Sequence, residues 1–416
     1  MRVPALLLLA TVSTGVHAAT FQVGNTADIP DIAPGDGFCT VVANPDDPTD
    51  PAICTLRAAI MEANASPNQD TIILEPGATY LVSIPGAEED NAASGDLDIL
   101  YPVIIRVPEA GGVPVGYATI QVVERVDAAF DILNVPAPGV TLSGLRIRGG
   151  DHQGSPWNRA GGINVWSSHV RLRYLDVDSE AGDGVFSAQG SASRVTSISH
   201  STISGATDAV SVVNSRVDIV SSTLARATNS GLYVQQPQSQ VLVVESTISG
   251  NFDGVSVVFG ARVDIVESTI ADNTRAGIWI NGSQSTASAI RSLFASNGHS
   301  NDRACWLGDQ NPTVTMEDNI YDDHSCPQGG EGDDSLFDTP VYLSLLGDHG
   351  GPTPTHRPMT VSPAVDAYIG TECVQGDEDQ RGMPRAVAWL GGEPACDIGA
   401  VELEEDVIFF DQVDRL

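Results

Sequence analysis

The stretch Ser246-Thr247-Ile248-Ser249-Gly250-Asn251-Phe252-Asp253-Gly254-Val255-Ser256-Val257 decides the fold, because the chain keeps repeating it. The Ser-Thr-Ile part returns at Ser201-Thr202-Ile203, Ser222-Thr223-Leu224, Ser268-Thr269-Ile270 and Ser292-Leu293-Phe294. The part that starts on a small residue returns at Gly162-Ile163-Asn164-Val165, Gly184-Val185-Phe186-Ser187, Ala209-Val210-Ser211-Val212, Gly231-Leu232-Tyr233-Val234 and Gly277-Ile278-Trp279-Ile280. A period of about 23 residues marks a solenoid, whose units bury their apolar faces only by stacking on one another. The alternation has period two and no long 3.6-residue pattern, so the units are strands. The expected fold is all-β, a parallel β-helix over residues 101–297.

Stacking places equivalent residues in columns about 4.8 Å apart. Aligned on Ser-Thr-Ile, the expected inward columns are Val170, Thr196, Val217, Val241, Val263, then Leu172, Ile198, Ile219, Val243, Ile265, then Val177, Ile203, Leu224, Ile248, Ile270, Phe294. Asn251, Asn273 and Asn297 stack just after the last of these. Such a ladder satisfies backbone groups that a bend leaves unpaired. Thr202, Thr223, Thr247 and Thr269 form an outward column, expected to be ordinary β-branched strand surface.

Arg2, the apolar run Ala5–Ala10 and Val16-His17-Ala18 fit a signal peptide over residues 1–18. The protein is therefore expected to be secreted or held at the cell surface. No later run reaches the apolar length of a transmembrane helix. The formal charge is -34, and all 20 basic residues are Arg. A surface this acidic excludes nucleic acid and gives no attraction to anionic membranes. Ca²⁺ is the charged partner that it leaves open.

The ends differ from the coil, as the open ends of a solenoid must. Residues 19–100 are expected to form an N-terminal cap. Within them Cys54–Asn64 reads as a helix with Thr55 as N-cap. Leu56, Ile60 and Ala63 on one face would close the first rung. Residues 298–416 are expected to form a C-terminal cap. Six Cys allow 15 connectivities. Solenoid geometry favours the local couples, Cys39 with Cys54, Cys305 with Cys326 and Cys373 with Cys396, which would staple both caps.

Cys54-Thr55-Leu56-Arg57-Ala58-Ala59-Ile60 and Gly95-Asp96-Leu97-Asp98-Ile99 resemble the CSLREA-motif β-helix proteins secreted by bacteria, with Thr55 and Ala58 departing from the motif. Gly350-Gly351-Pro352-Thr353-Pro354-Thr355, Ser362-Pro363-Ala364-Val365-Asp366, Asp379-Gln380-Arg381-Gly382-Met383-Pro384-Arg385 and Cys396-Asp397-Ile398-Gly399-Ala400-Val401-Glu402 resemble the choice-of-anchor Q region. The resemblance implies a right-handed, pectin-lyase-like solenoid and no particular reaction. It also implies that Asp379, Arg381, Arg385, Asp397 and Glu402 are a structural ion network.

Function divides into two readings. In the first the protein is a non-catalytic monomer that binds or decorates a surface, its partner a neutral polysaccharide or cell-surface glycan. Phe186, Tyr233 and Trp279 recur on alternate rungs of one outward column, with Trp166 beside them, in a chain only 6% aromatic. They would stack on sugar rings, and Asn164, Ser211 and Ser256 would bond the hydroxyls between them. In the second the protein degrades polysaccharide. Asp183 and Asp208, on neighbouring rungs, would act as a glycoside hydrolase pair, or Ca²⁺ would assist a lyase. Asp28, Asp31 and Asp36, and at the other end Asp377, Glu378 and Asp379, are the Ca²⁺ candidates, with no other cofactor expected.

Overall fold

The computed structural model describes residues 18–403 except 40, 42–52, 87–88, 90, 124–127, 151–159, 180, 191–193, 206, 299–302, 309, 331, 371–372, 374–376 and 386–394. The expected signal peptide lies almost wholly outside the described residues, as do the centre of the 149–161 insertion and the acidic tail.

The coil is the expected right-handed parallel β-helix. One sheet holds nine parallel strands, including Ala160–Trp166, Asp183–Ala188, Val210–Val213, Ser230–Gln235, Asp253–Val258, Ala276–Asn281 and Cys305–Leu307. The other solenoid strands form a nineteen-stranded sheet folded along a corner. Early strands, Val140–Arg148 and Val170–Asp178, run through that corner, whereas later rungs break there. The corner residue is left-handed on eight successive rungs: Gly144, Tyr174, His200, Ser221, Glu245, Glu267, Arg291 and Asp318 have φ between 46° and 71°. The three inward columns pair in the expected register and are buried.

The constant spelling of the repeat follows from what the corners leave unpaired. Each repeat serine sits just past a left-handed corner. The hydroxyls of Ser222, Ser246 and Ser268 donate to the carbonyls of Val220, Val244 and Val266 at 2.7–2.8 Å. Each also accepts the N–H of the serine one rung back at 3.2 Å. The Asn ladder works in the expected way. Asn251 Nδ2 donates to Asn273 Oδ1 at 3.0 Å and to the Leu224 carbonyl at 3.2 Å, and Asn273 repeats this with Asn297 and Ile248. These side chains also explain the small residue that opens each strand. A Cβ on Gly254 would lie 2.4 Å from the Gly277 carbonyl and 2.9 Å from Asn273 Nδ2.

The helix Leu56–Asn64 closes the first rung, and Thr55 accepts the Ala58 N–H as its cap. At the other end Phe294, Tyr321 and Phe337 stack at 5.0 and 4.9 Å. The three expected disulfides form. Cys39 joins Cys54 ahead of the helix, with Cα atoms 5.1 Å apart. Cys305, which opens the last strand of the nine-stranded sheet, joins Cys326 at 4.8 Å. Both sulfur-bearing residues of this pair are buried, so Cys326 closes the coil's end. Cys373 joins Cys396 at 5.8 Å.

Two expectations about the C-terminal region change. The described residues within 340–403 lie along the flank of the solenoid rather than across its end, and the threonine column is their seat rather than a surface. The third disulfide therefore staples this flanking segment to itself, and only Cys305 with Cys326 secures the end of the coil. Thr223 and Thr247 are fully buried. Thr223 donates to the Pro354 carbonyl at 2.5 Å, Thr247 donates to Gln380 Oε1 at 2.6 Å, and Thr269 accepts the Ala400 N–H at 3.0 Å.

Candidate functional site

The outward column of the nine-stranded sheet runs Asp98, Asp131, Asn164, Phe186, Ser211, Tyr233, Ser256, Trp279, Trp306 in continuous register. The structure divides it into three parts.

At the N-terminal end Asp98 and Asp131 face each other on adjacent rungs, and Asp96 joins them with carboxylate oxygens within 4.8 Å. This group has the ligand chemistry to hold a hard cation such as Ca²⁺. The loop acids Asp28, Asp31 and Asp36 do not converge in this way. Asp28 pairs with buried Arg57 at 2.5 Å and accepts the Ser83 and Ile84 N–H groups. Asp31 and Asp36 accept the N–H groups of Ala33 and Phe38, and burial raises the Asp31 pKa. Glu62 gathers the loop instead, accepting N–H bonds from Gly35, Gly37 and Phe38. Among the described residues the other convergent acidic group is Asp366, Asp397 and Glu402. There Asp397 accepts the Asp366 and Leu403 N–H groups, and Glu402 accepts that of Asp397. Burial raises both carboxyl pKa values. With the Asp379–Arg381 pair at 2.8 Å and buried Arg385, these residues form the structural network expected of the cap.

In the middle of the column the face is closed. Phe186 is 3% exposed and packs with Ala160, Ala188, Trp166 and Val213. Its ring therefore offers no open face, contrary to expectation. Asn164, Ser211 and Ser256 are also buried, at 3%, 0% and 1% exposure. Serines set between rings on a column this tight are overhung by them. Ser256 bonds Asp253 and Ser230 instead of facing solvent. Asp183 and Asp208 are each 1% exposed. Asp183 accepts the Asp208 N–H at 3.3 Å, and Asp208 accepts from Asn229 Nδ2 and the Ser230 N–H at 2.7 and 2.8 Å. Both thus serve strand entries, the ordinary work of Asp in a turn.

The C-terminal end stays open. Trp306, which sequence reasoning missed, lies one rung beyond Trp279 and is 36% exposed. The Arg275 guanidinium carbon sits 4.5 Å from the Trp279 ring centre, 4.8 Å from Phe252 and 5.1 Å from Trp306. Asp253 holds that guanidinium by an ion pair, with Arg275 Nε donating at 2.6 Å. The Arg303 guanidinium lies 4.8 Å from the Trp306 ring centre. Half-buried Tyr233 is two rungs before Trp279, about 9–10 Å away. The arrangement is a half-exposed aromatic strip with guanidiniums over its rings. Aromatic surface of this kind can stack on apolar ring faces, and among the described residues of the strip no general acid and base face each other across a groove.

A sequence model described as the right handed beta helix region matches residues 183–333. No curated protein matches the chain. Among solved structures, pectate lyase Pel9A aligns at 14% identity and TM-score 0.49, covering 94% of this chain and 98% of that one. The A-module of the Azotobacter vinelandii mannuronan C-5 epimerase AlgE4 aligns at 14% identity and TM-score 0.37, covering 70% and 94%. No helix among the described residues is long and apolar enough to cross a membrane.

Proposed function

We propose that this is an extracellular glycan-binding solenoid that recognises a neutral polysaccharide along the Tyr233–Trp279–Trp306 strip without cleaving it. The observation that carries the reading is Arg275, held by Asp253 and flanked by three rings at 4.5–5.1 Å. An arginine fixed in this way locks the rings around it, so little side-chain freedom is lost on binding. The spacing of Tyr233 and Trp279, about 9–10 Å, is near that of two extended sugar units. The charge of -34 disfavours uronate polymers. Three disulfides fit an oxidising compartment. We infer a secreted or surface-held protein of the CSLREA type with a choice-of-anchor Q-like C-terminal region. Affinity electrophoresis of the mature protein in gels containing neutral glucans, mannans or xylans tests the proposal. Retardation by at least one polymer, lost in Trp279→Ala, supports it. Free migration in all of them, or release of reducing ends from the polymer, overturns it.

A further inference from the structure

A second site lies where the solenoid corner meets the C-terminal segment. A cleft of about 490 Å³ is lined by Val113, Pro114, Tyr117, Tyr174, His200, Gly351, Pro352, Glu378, Arg381 and Gly382, and its size is that of a small-molecule site. Its floor is the corner column itself. Tyr174 and His200, on adjacent rungs, stack at 4.9 Å and 23°. Elsewhere that column holds Gly, Ser, acidic residues and Arg, so the two rings fall on the two rungs that open into the cleft. One wall is the hairpin of Glu109–Ala110 and Val113–Pro114. It fits over the preceding corner only because that residue is Gly144, whose Cβ would lie 2.5 Å from Val107 and 2.9 Å from Pro114. The other wall is the segment seated on the threonine column.

The polar groups of the cleft are committed unevenly. Arg381 is spent on Asp379, the His349 carbonyl and the Glu402 carbonyl. By contrast, among the described residues the hydroxyls of Tyr117 and Tyr174 and the Glu378 carboxylate bond nothing. Nδ1 of His200 is enclosed and unpartnered. An enclosed bare acceptor costs less than an enclosed orphan N–H, which places the ring proton on Nε2, open to the cleft. Burial and Arg173 lower the His200 pKa, so the ring stays neutral.

We propose that this cleft is a binding site for one neutral sugar unit, packed against the Tyr174–His200 stack with its hydroxyls bonded to His200 Nε2, Glu378 and the two tyrosine hydroxyls. Glu378 accepts from hydroxyls, and its charge offsets that of Arg173, whose guanidinium lies 5.7 Å from the Tyr174 ring centre, so the cleft favours a neutral unit. The site stands apart from the aromatic strip and does not depend on it.

Titration of the mature protein with neutral methyl hexosides and their methyl uronoside counterparts tests the proposal, with the His200 ring followed by NMR. Tyr174→Asn and His200→Asn are the variants, because Asn tolerates the left-handed corner. The expected result is a shift of the His200 resonances by a neutral hexoside, and affinity about ten-fold weaker or worse in either variant, equal to 1.4 kcal/mol. Unchanged circular dichroism and melting separate lost contact from lost fold. No shift with any hexoside, tighter binding of the uronosides, or folded variants that bind like the parent would overturn the proposal.

Discussion

The Thr247 hydroxyl donates to the side-chain carbonyl of Gln380 at 2.6 Å, across 133 residues of sequence. The Gln380 amide in turn donates to Thr223 Oγ1, Thr353 Oγ1 and the Ser222 carbonyl. Every partner is buried, so one glutamine ties the C-terminal segment to the rungs beneath it. Removing it leaves the buried Thr247 and Thr353 hydroxyls unpaired. Gln380→Ala is therefore expected to destabilise by about 2–3 kcal/mol. Urea unfolding measures this, and limited proteolysis should cut first within 340–403. A loss below about 0.5 kcal/mol would show that the segment is not held there.

The Asn ladder predicts a coupled loss. Asn273→Ala strips the acceptor from Asn251 and the donor from the Ile248 carbonyl. The expected cost is about 2–3 kcal/mol. Adding Asn251→Ala should cost less than its single effect, because the two share one bond. Strict additivity in unfolding measurements would contradict a ladder.

A pH effect follows from Glu245. Burial, with the charges of Glu267 and Asp379, pushes its pKa up from 4.5 to about 7, against the pull of Arg385. The folded protein then holds a proton that the unfolded chain releases. Its stabilising contribution is present below about pH 4.5 and is lost as pH rises through about 7. His169, His200 and His349, whose pKa values are lowered by burial, act in the opposite sense. The difference between parent and Glu245→Gln isolates the carboxyl. The variant should gain stability relative to the parent between about pH 5 and pH 8. A constant difference would show that Glu245 is not perturbed.

What could be read from the sequence follows the repeat. Inward columns, the Asn ladder and the strand register all obey the alternation, so aligning the repeats with one another recovers them. The disulfides were legible for a related reason. Rungs far apart in sequence are far apart in space, so Cys305 reaches Cys326 one rung on and no distant partner. Trp306 was missed because in Ala304-Cys305-Trp306-Leu307 a cysteine replaces the aliphatic residue of the motif. Aligning it under Gly277-Ile278-Trp279-Ile280 would have found it. Tyr174 and His200 sit at left-handed corners, where alternation breaks and facing cannot be counted. The threonine column was legible as outward. What covers it was not, because its partners Pro354, Gln380 and Ala400 lie more than 130 residues away in sequence. The burial of Phe186 depends on Trp166 and Ala160 of the neighbouring rung, a packing that one strand cannot announce.

The most direct test of the central claim is polysaccharide binding by mature parent, Tyr233→Ala, Trp279→Ala and Trp306→Ala, each first shown to be folded. Each stacked ring contributes on the order of 1 kcal/mol, so each variant should bind about five-fold more weakly. The triple variant should not bind measurably. Phe186→Leu, at the covered ring, should bind as the parent does. Parent-like binding by the triple variant would contradict the account.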